Sequence, residues 1–234
     1  EPITLRHEQT SGRAWFAALA ERRTELAVET GYWADRLPRQ AAVLGVVPDP
    51  HRDTMATEVE VVQRLSPELT ENVLTRLPGA FNGSADDVML AALARAVRSW
   101  QIARGVVDDG PVSILVETHG RNDHLLGTGP ETPQADLTRT VGWFTVAAPV
   151  SVDPSISAIR AVKSAKEERL GRPSGGIGFG LLRYAPESDL GDRPLPAIGF
   201  NFFGAGRATA TETPELTDIP FTPAADAPGY PPSA

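Results

Sequence analysis

The amino-acid sequence predicts an α/β fold in which strands and helices alternate along the chain and pack in layers. Two short apolar runs bounded by turn-forming residues, Val112–Glu117 and Val146–Val152, are typical of buried strands. Before the first run and after the second, apolar residues recur every three or four positions, as they do in helices with one buried face. The 234 residues are enough to enclose a sizeable core.

The N-terminal part is predicted to be helical over residues 11–37, with a break at Gly31. Ser11 is a suitable N-cap, and Pro38 ends the helix because it lacks the N–H that the helix needs. The large apolar side chains of this segment share one face and are predicted to be core: Trp15, Leu19, Leu26, Trp33 and Leu37. The proline-containing connector over 38–56 predicts a domain boundary.

The next segment, Thr57–Leu65, alternates in polarity and predicts a strand. A helix capped by Ser66 follows and is expected to stop before Pro78. A second helix begins with the capping box Ser84-Ala85-Asp86-Asp87 and ends at Gly105.

The C-terminal part begins with a polar segment over 122–138 that predicts an exposed loop. After the strand Val146–Val152, a helix is expected from Ser155 to about Leu170. The run Gly175–Gly180 predicts a glycine-rich turn, and Ala197–Phe203 a further strand.

These elements predict three parts of the chain. Residues 1–45 form a helical segment, and residues 46–204 carry the strands and the motifs described below. Residues 205–234 are rich in proline and poor in large apolar side chains. Such a segment cannot offset its ordering entropy by burial, so it is predicted to be a linker or a disordered tail.

Composition excludes several classes of function. A net charge of −8 argues against binding to nucleic acid, which needs clustered Lys and Arg. No apolar run is long enough to span a membrane, and the absence of cysteine removes disulfides and thiol chemistry. Four scattered histidines give no metal-ligand spacing. The sequence therefore predicts a soluble, cytoplasmic protein with no metal, nucleic-acid or membrane partner.

The strand Val112–Glu117 ends in a carboxylate, which is unusual for a buried strand. Side chains alternate along an extended chain, so Glu117 and His119 are expected to point the same way and could transfer protons. The alternative is an ion pair between Glu117 and Arg121. From this stretch alone the ion pair is the favoured interpretation.

The run Gly175–Gly180 is not expected to bind a nucleotide. A dinucleotide fingerprint needs a preceding strand, and a P-loop needs a Gly-Lys-Ser/Thr sequence, which the run lacks. Its glycines are instead predicted to let the backbone approach another segment closely. A serine hydrolase is also disfavoured, because there is no Gly-x-Ser-x-Gly elbow.

Four short sequence motifs follow one another along the chain: Val-Glu-Thr-His-Gly-Arg, Arg-Thr-Val-Gly-Trp-Phe-Thr, Gly-Ile-Gly-Phe-Gly-Leu-Leu-Arg-Tyr and Phe-Asn-Phe-Phe-Gly. Together they resemble the successive motifs of the epimerization domains of nonribosomal peptide synthetases, over about Trp15 to Gly204. The resemblance implies the two-lobed chloramphenicol acetyltransferase fold, with residues 1–45 as the helical end of the N-terminal lobe and residues 46–204 as the C-terminal lobe. It also implies exchange of the α-proton of an aminoacyl or peptidyl thioester, which interconverts L and D residues.

The resemblance also implies roles for individual residues. Glu117 matches the family's catalytic glutamate, and burial at the strand end is expected to raise its pKa. Asn201 and Trp143 are expected to contact the substrate or its pantetheine arm. The remaining matched positions are expected to support the motifs: His119, Gly120, Arg121, Arg139, Gly178 and Tyr184.

No intrinsic cofactor is implied, because a peptidyl carrier protein delivers the 4′-phosphopantetheine arm. Neighbouring synthetase domains and an N-terminal lobe of the same domain are the other implied partners. The family's His-His-x-x-x-Asp-Gly motif belongs to that lobe and is not in this sequence. The isolated chain is therefore expected to be inactive.

The sequence departs from the family pattern at Thr118 and Asn122, where the family has glycine and glutamate. Two alternatives stay open. The parent could be a condensation-type acyltransferase that forms peptide bonds, or the chain could be a docking module that binds a carrier protein without catalysis.

Overall fold

The structure is a computed structural model, and it describes residues 9–38, 49–106, 110–122, 125, 135–154, 157–186 and 188–204. The chain divides into two compact units, Glu1–Phe202 and Phe203–Ala234. The expected boundary near residue 45, most of the expected loop over 122–138 and the expected tail over 205–234 lie outside the described residues.

The centre of the first unit is a three-stranded sheet in the order β2-β1-β3. Strand β1 (Val112–Thr118) pairs antiparallel with β2 (Val146–Val152), so both predicted strands are confirmed. Strand β3 (Gly199–Phe200) pairs parallel to β1 on the other side and is shorter than the predicted Ala197–Phe203.

Helices α6 (Ala85–Ala103) and α7 (Ala158–Gly171) form the main layer against this sheet. They share one core cluster with strand side chains, namely Val112, Ile114, Val116, Val150 and Val152. Helix α6 begins at the predicted capping box, in which Ser84 and Asp87 each accept a hydrogen bond from the other's backbone N–H. Arg169 of α7 binds the same Asp87 carboxylate, so this ion pair joins the two helices.

A second group of helices consists of α1 (Gly12–Glu21), α2 (Arg23–Leu26), α3 (Thr30–Arg36) and α8 (Ile177–Arg183). Side chains of α3 and α8 share a core cluster against which Leu115 of β1 packs, and α1 shares another with Phe144 and Ile177. The predicted core residues Trp15, Leu19, Trp33 and Leu37 are buried. Leu26 is only half-buried.

The N-terminal helical segment breaks at Arg22 and at the 3₁₀ turn Ala27–Glu29, so the predicted break at Gly31 is wrong. Gly31 lies inside α3, where its extra backbone freedom is not used. The break places Glu29 inside the fold, as described below.

The predicted strand over Thr57–Leu65 is wrong. Met55–Thr57 forms a 3₁₀ turn, and residues 58–65 belong to no strand. Val59 is 81% exposed and Val61 87% exposed. Alternating polarity produces a strand only where another strand and a buried face are available, and the described residues offer this segment neither.

The helix capped by Ser66 does not stop before Pro78. Helix α4 (Pro67–Glu71) continues through the π-helical turn Asn72–Arg76 into α5 (Leu77–Phe81). Pro78 lies in the first turn of α5, directly after the π-helical turn. Helix α5 ends at Asn82, whose φ of 48° is left-handed.

The glycine-rich turn is shorter than predicted. It covers Pro173–Gly176, and α8 begins at Ile177, inside the predicted turn. Among the helices of the described residues, none combines the length and the apolar character needed to cross a membrane.

Candidate active site

The register of the sheet brings Glu117 and Asn201 together. In the parallel pair of β1 and β3, Leu115 lies opposite Gly199 and Val116 opposite Phe200. The same offset places Asn201 opposite Glu117. The Asn201 amide Nδ2 donates a hydrogen bond to Glu117 Oε2 at 2.8 Å. Two residues 84 positions apart, predicted separately, therefore meet at one point.

Glu117 is exposed, so the expectation that it is buried at the strand end is wrong. Val116 before it is 6% exposed, whereas burial stops at Glu117. Within the described residues, Oε1 of Glu117 has no hydrogen-bonding partner. Among the described contacts, the carboxylate is thus held by Asn201 on one oxygen only.

Arg121 does not pair with Glu117, so the ion-pair interpretation is not what the structure shows. Its guanidinium donates to the carbonyl oxygen of Leu137 at 2.5 Å and lies 4.2 Å from the ring centre of Phe144. Its backbone N–H donates to Nδ1 of His119 at 3.0 Å. His119 and Arg121 therefore make their hydrogen bonds within the turn and with Leu137.

Gly120 is required by the close approach of this turn to Phe144. Its φ is +61°, and a Cβ atom there would lie 1.8 Å from the Phe144 carbonyl oxygen. Any side chain at this position would push the turn off the segment that follows Arg139.

The Arg-Thr-Val-Gly-Trp-Phe-Thr segment combines buried anchors with exposed side chains. Thr140 is buried and its hydroxyl donates to the Thr10 carbonyl oxygen at 2.6 Å. Phe144 is buried, whereas Trp143 is 84% exposed and Arg139 is exposed. The buried side chains fix the segment, and the indole of Trp143 faces solvent.

The glycine run makes the close approach that its sequence predicts, and the group it approaches is a carboxylate. A Cβ on Gly178 would lie 2.1 Å from Glu29 Oε2. Glu29 is 8% exposed and accepts hydrogen bonds from Trp33 Nε1 at 3.0 Å and from the Ser174 hydroxyl at 2.5 Å. This buried polar cluster ties the start of α8 to the N-terminal helices.

Gly178→Ala is expected to lower the free energy of unfolding by about 2 kcal/mol, because the methyl group would force the Glu29 carboxylate away from Trp33 and Ser174. Urea denaturation followed by tryptophan fluorescence measures the change. The matched control is Gly180→Ala in the same helix, where an added Cβ meets nothing within 4 Å. That variant is expected to be neutral or up to about 1 kcal/mol more stable. Equal effects of the two variants would contradict the role of Gly178.

An apolar cavity of about 350 Å³ lies on the face of the β1–β2 pair from which Glu117 projects. Two of its lining residues fix this position. Leu115 precedes Glu117 by two residues and projects from the same face of β1, and Ala147 is the register partner of Glu117 on β2. The other side of the cavity comes from α1, from the segment at Phe144–Val146 and from α8, including Tyr184 at the end of that helix.

Neither Glu29 nor this cavity was predicted from the sequence. Glu29 follows Leu26 by three positions and precedes Trp33 by four, so helical spacing places it on the buried face. That signal was available in the sequence. Nothing in the sequence indicated the cavity, because its walls come from five separated segments.

The comparisons with known proteins agree with the geometry. No family model matches the chain. A linear gramicidin synthase polypeptide of Brevibacillus parabrevis is 31% identical over 219 residues, which are 89% of this chain and 4% of that protein. Chondramide synthase of Chondromyces crocatus is 31% identical over 228 residues, 94% of this chain and 5% of that protein. The chain thus spans only a small part of the curated relatives it matches.

A solved structure bears more directly on the site. The epimerization domain from the third module of tyrocidine synthetase B superposes with a TM-score of 0.53 at 27% identity, over 81% of this chain and 40% of that chain. The chain belongs to the epimerization- and condensation-type domains of nonribosomal peptide synthetases. For this synthetase domain, the expected α/β fold of the CoA-dependent acyltransferase type is confirmed.

Proposed function

We propose that this chain is part of an epimerization domain that interconverts the L and D configurations at the α-carbon of a carrier-bound aminoacyl or peptidyl thioester. The observation that carries the proposal is the 2.8 Å hydrogen bond from Asn201 to Glu117, which projects from the sheet face that lines an apolar cavity. The likeness to an epimerization domain supports it.

The proposed reaction starts with removal of the α-proton by Glu117. An ionised carboxylate accepts a proton through an oxygen that is not already bonded, and Oε1 is that oxygen among the described contacts. Asn201 holds Oε2 and thereby fixes the direction of Oε1. A positioned base of this kind typically contributes a rate factor of about 10² to 10⁴.

Removal of the proton leaves an enolate-like thioester, and its return on the opposite face completes the inversion. The second face needs an acid, and His119, whose Nδ1 accepts the Arg121 backbone N–H, is assigned instead to holding the turn after Glu117. We assign that acid to the His-His-x-x-x-Asp-Gly lobe of the parent domain. Trp143 is assigned to contact with the substrate or the pantetheine arm, since its indole is exposed beside buried Phe144.

The other motif residues are assigned to support of the site. His119, Gly120 and Arg121 hold the turn after Glu117, and Arg139 and Gly178 belong to the segments that pack around it. Tyr184 lines the cavity. The 4′-phosphopantetheine arm arrives on a peptidyl carrier protein, and neighbouring synthetase domains are the other proposed partners. We propose that the reaction takes place in the cytoplasm.

The test is made on the full-length parent synthetase with its carrier domain loaded with an L-aminoacyl group in deuterated water. Epimerization predicts deuterium at the α-carbon and a mixture of L and D products, with no acceptor present. A condensation-type domain would instead form a peptide bond when a second aminoacyl carrier is supplied, without α-deuteration. A docking module would bind the loaded carrier and give neither product.

A further inference from the structure

We infer that the apolar cavity receives the side chain of the residue that is epimerised, and that this residue is large and apolar, either aromatic or branched aliphatic. The inference rests on the proposed function, because it takes Glu117 as the base that acts at the α-carbon. It adds the substrate class, which the motifs leave open.

The position of the cavity relative to Glu117 is the first step. Leu115, Glu117 and Ala147 project from one face of the β1–β2 pair, and the first and last of these line the cavity. A substrate whose α-proton faces Glu117 therefore has its α-carbon beside the cavity. One of the remaining substituents on that carbon is its side chain, and the cavity is the adjoining space on this face.

The chemistry of the walls is the second step. None of the residues that line the cavity carries a charge, and most are aliphatic or aromatic. Trp15, Leu19, Ile177 and Phe179 are buried, whereas Tyr184 is 79% exposed, so an apolar floor lies below a more open rim. A charged side chain would lose its water there without gaining a partner, whereas an apolar one would gain from burial.

The size of the cavity is the third step. About 350 Å³ lies at the small end of ligand-binding pockets, which suits one large side chain. Gly180 lines this space, and a Cβ added to it meets nothing within 4 Å. The glycine therefore leaves room that any other residue would reduce, and we assign Gly180 as a residue that determines the size of the accepted side chain.

The test uses the full-length parent with its carrier domain loaded with phenylalanyl, leucyl, alanyl or aspartyl groups. Wild-type α-deuterium exchange is expected to be at least about 10-fold faster with phenylalanyl and leucyl than with alanyl and aspartyl. Gly180→Leu is expected to slow the phenylalanyl reaction by at least about 10-fold and to slow the alanyl reaction much less. Ala147→Val, which narrows the cavity from β2, is the second variant in case Gly180→Leu folds poorly.

The matched control is Gly79→Leu. Gly79 also lies in a short helix with nothing within 4 Å of an added Cβ, but it is outside the cavity. The control is expected to leave all four rates unchanged. Equal exchange rates for the four aminoacyl groups would overturn the inference. The same fold-loss of rate in Gly180→Leu for the alanyl and phenylalanyl groups would also overturn it.

A binding measurement separates this inference from the proposed function. Hydrolysis-resistant aminoacyl amides of phosphopantetheine are titrated into the same proteins. Tighter binding of the phenylalanyl amide that Gly180→Leu removes, without exchange of any thioester, would support the cavity and reject epimerization. Exchange without side-chain dependence of rate or affinity would reject the cavity and support epimerization. Neither exchange nor selective binding would reject both.

Discussion

Glu117→Gln in the full-length parent is expected to lower the rate of α-proton exchange with solvent deuterium by a factor of about 10² to 10⁴. The glutamine amide has the shape of the carboxylate and can still accept the Asn201 hydrogen bond through its oxygen. It cannot take up the α-proton, so the fold is kept and the proposed base is removed. Exchange is measured by mass spectrometry of the released amino acid.

Two controls make this result specific to Glu117. Glu58→Gln removes the same charge from an exposed residue outside the site and is expected to leave the rate unchanged. Binding of the loaded carrier by the Glu117→Gln variant is expected to equal wild type, because the change affects proton transfer and not docking. Undiminished exchange in the variant would remove Glu117 from the mechanism.

The elements that the sequence predicted well are those specified by local signals. Helix α6 begins at Ser84 because the capping box satisfies two backbone donors within four residues. Strands β1 and β2 were predictable because continuous apolar runs between turn residues are buried wherever they pack. Neither prediction needs knowledge of a distant partner.

Two of the wrong predictions depended on a distant partner. The valines of the segment 58–65 alternate as in a strand, but alternation cannot say whether a neighbouring strand exists. The exposure of Glu117 depends on where the packed helices stop covering β1, which no residue of the strand encodes. For Glu29, helical spacing could indicate burial but not the hydrogen bond from Ser174 that satisfies its carboxylate, because Ser174 is more than 140 positions away.

The candidate site also has a part that the sequence could predict and a part that it could not. Glu117 and Asn201 were found separately through motif resemblance, but their contact follows from the parallel register of β1 and β3. Two strands so far apart in sequence give no local sign of their register. The chemistry could thus be assigned to residues before the structure, whereas the orientation of the carboxylate and the cavity beside it could not.

Arg169→Ala is expected to lower the free energy of unfolding by about 3 to 5 kcal/mol, the largest stability effect that we predict. Arg169 holds the Asp87 carboxylate with two hydrogen bonds of 2.7 and 3.0 Å, and the side chain of Asp87 is 1% exposed. Without Arg169, a buried negative charge loses its partner. Urea denaturation of the chain at pH 7 measures the loss.

The reciprocal variant, Asp87→Asn, should lower the free energy of unfolding by less. In Asp87→Asn the Arg169 side chain, which is 30% exposed, can turn to water, and the asparagine oxygen can still cap Ser84. We expect a loss of about 1 to 2 kcal/mol. Arg52→Ala, which breaks an exposed pair with Asp53, is the control and should change stability by less than about 1 kcal/mol. A loss in Asp87→Asn that equals or exceeds the loss in Arg169→Ala would contradict this account.

The ion pair also predicts the direction of the pH dependence. Burial opposes ionisation of Asp87, but the hydrogen bonds from Arg169 and from the Ser84 backbone outweigh it and hold its pKa below the ordinary 3.8. A carboxyl group whose pKa is lower in the folded state contributes its full stability above its unfolded pKa and loses it as the pH falls through the folded value. The difference in stability between wild type and Asp87→Asn should therefore be constant from about pH 7 to pH 5 and shrink below about pH 4. A difference that grows on acidification would mean that Asp87 is protonated in the folded chain.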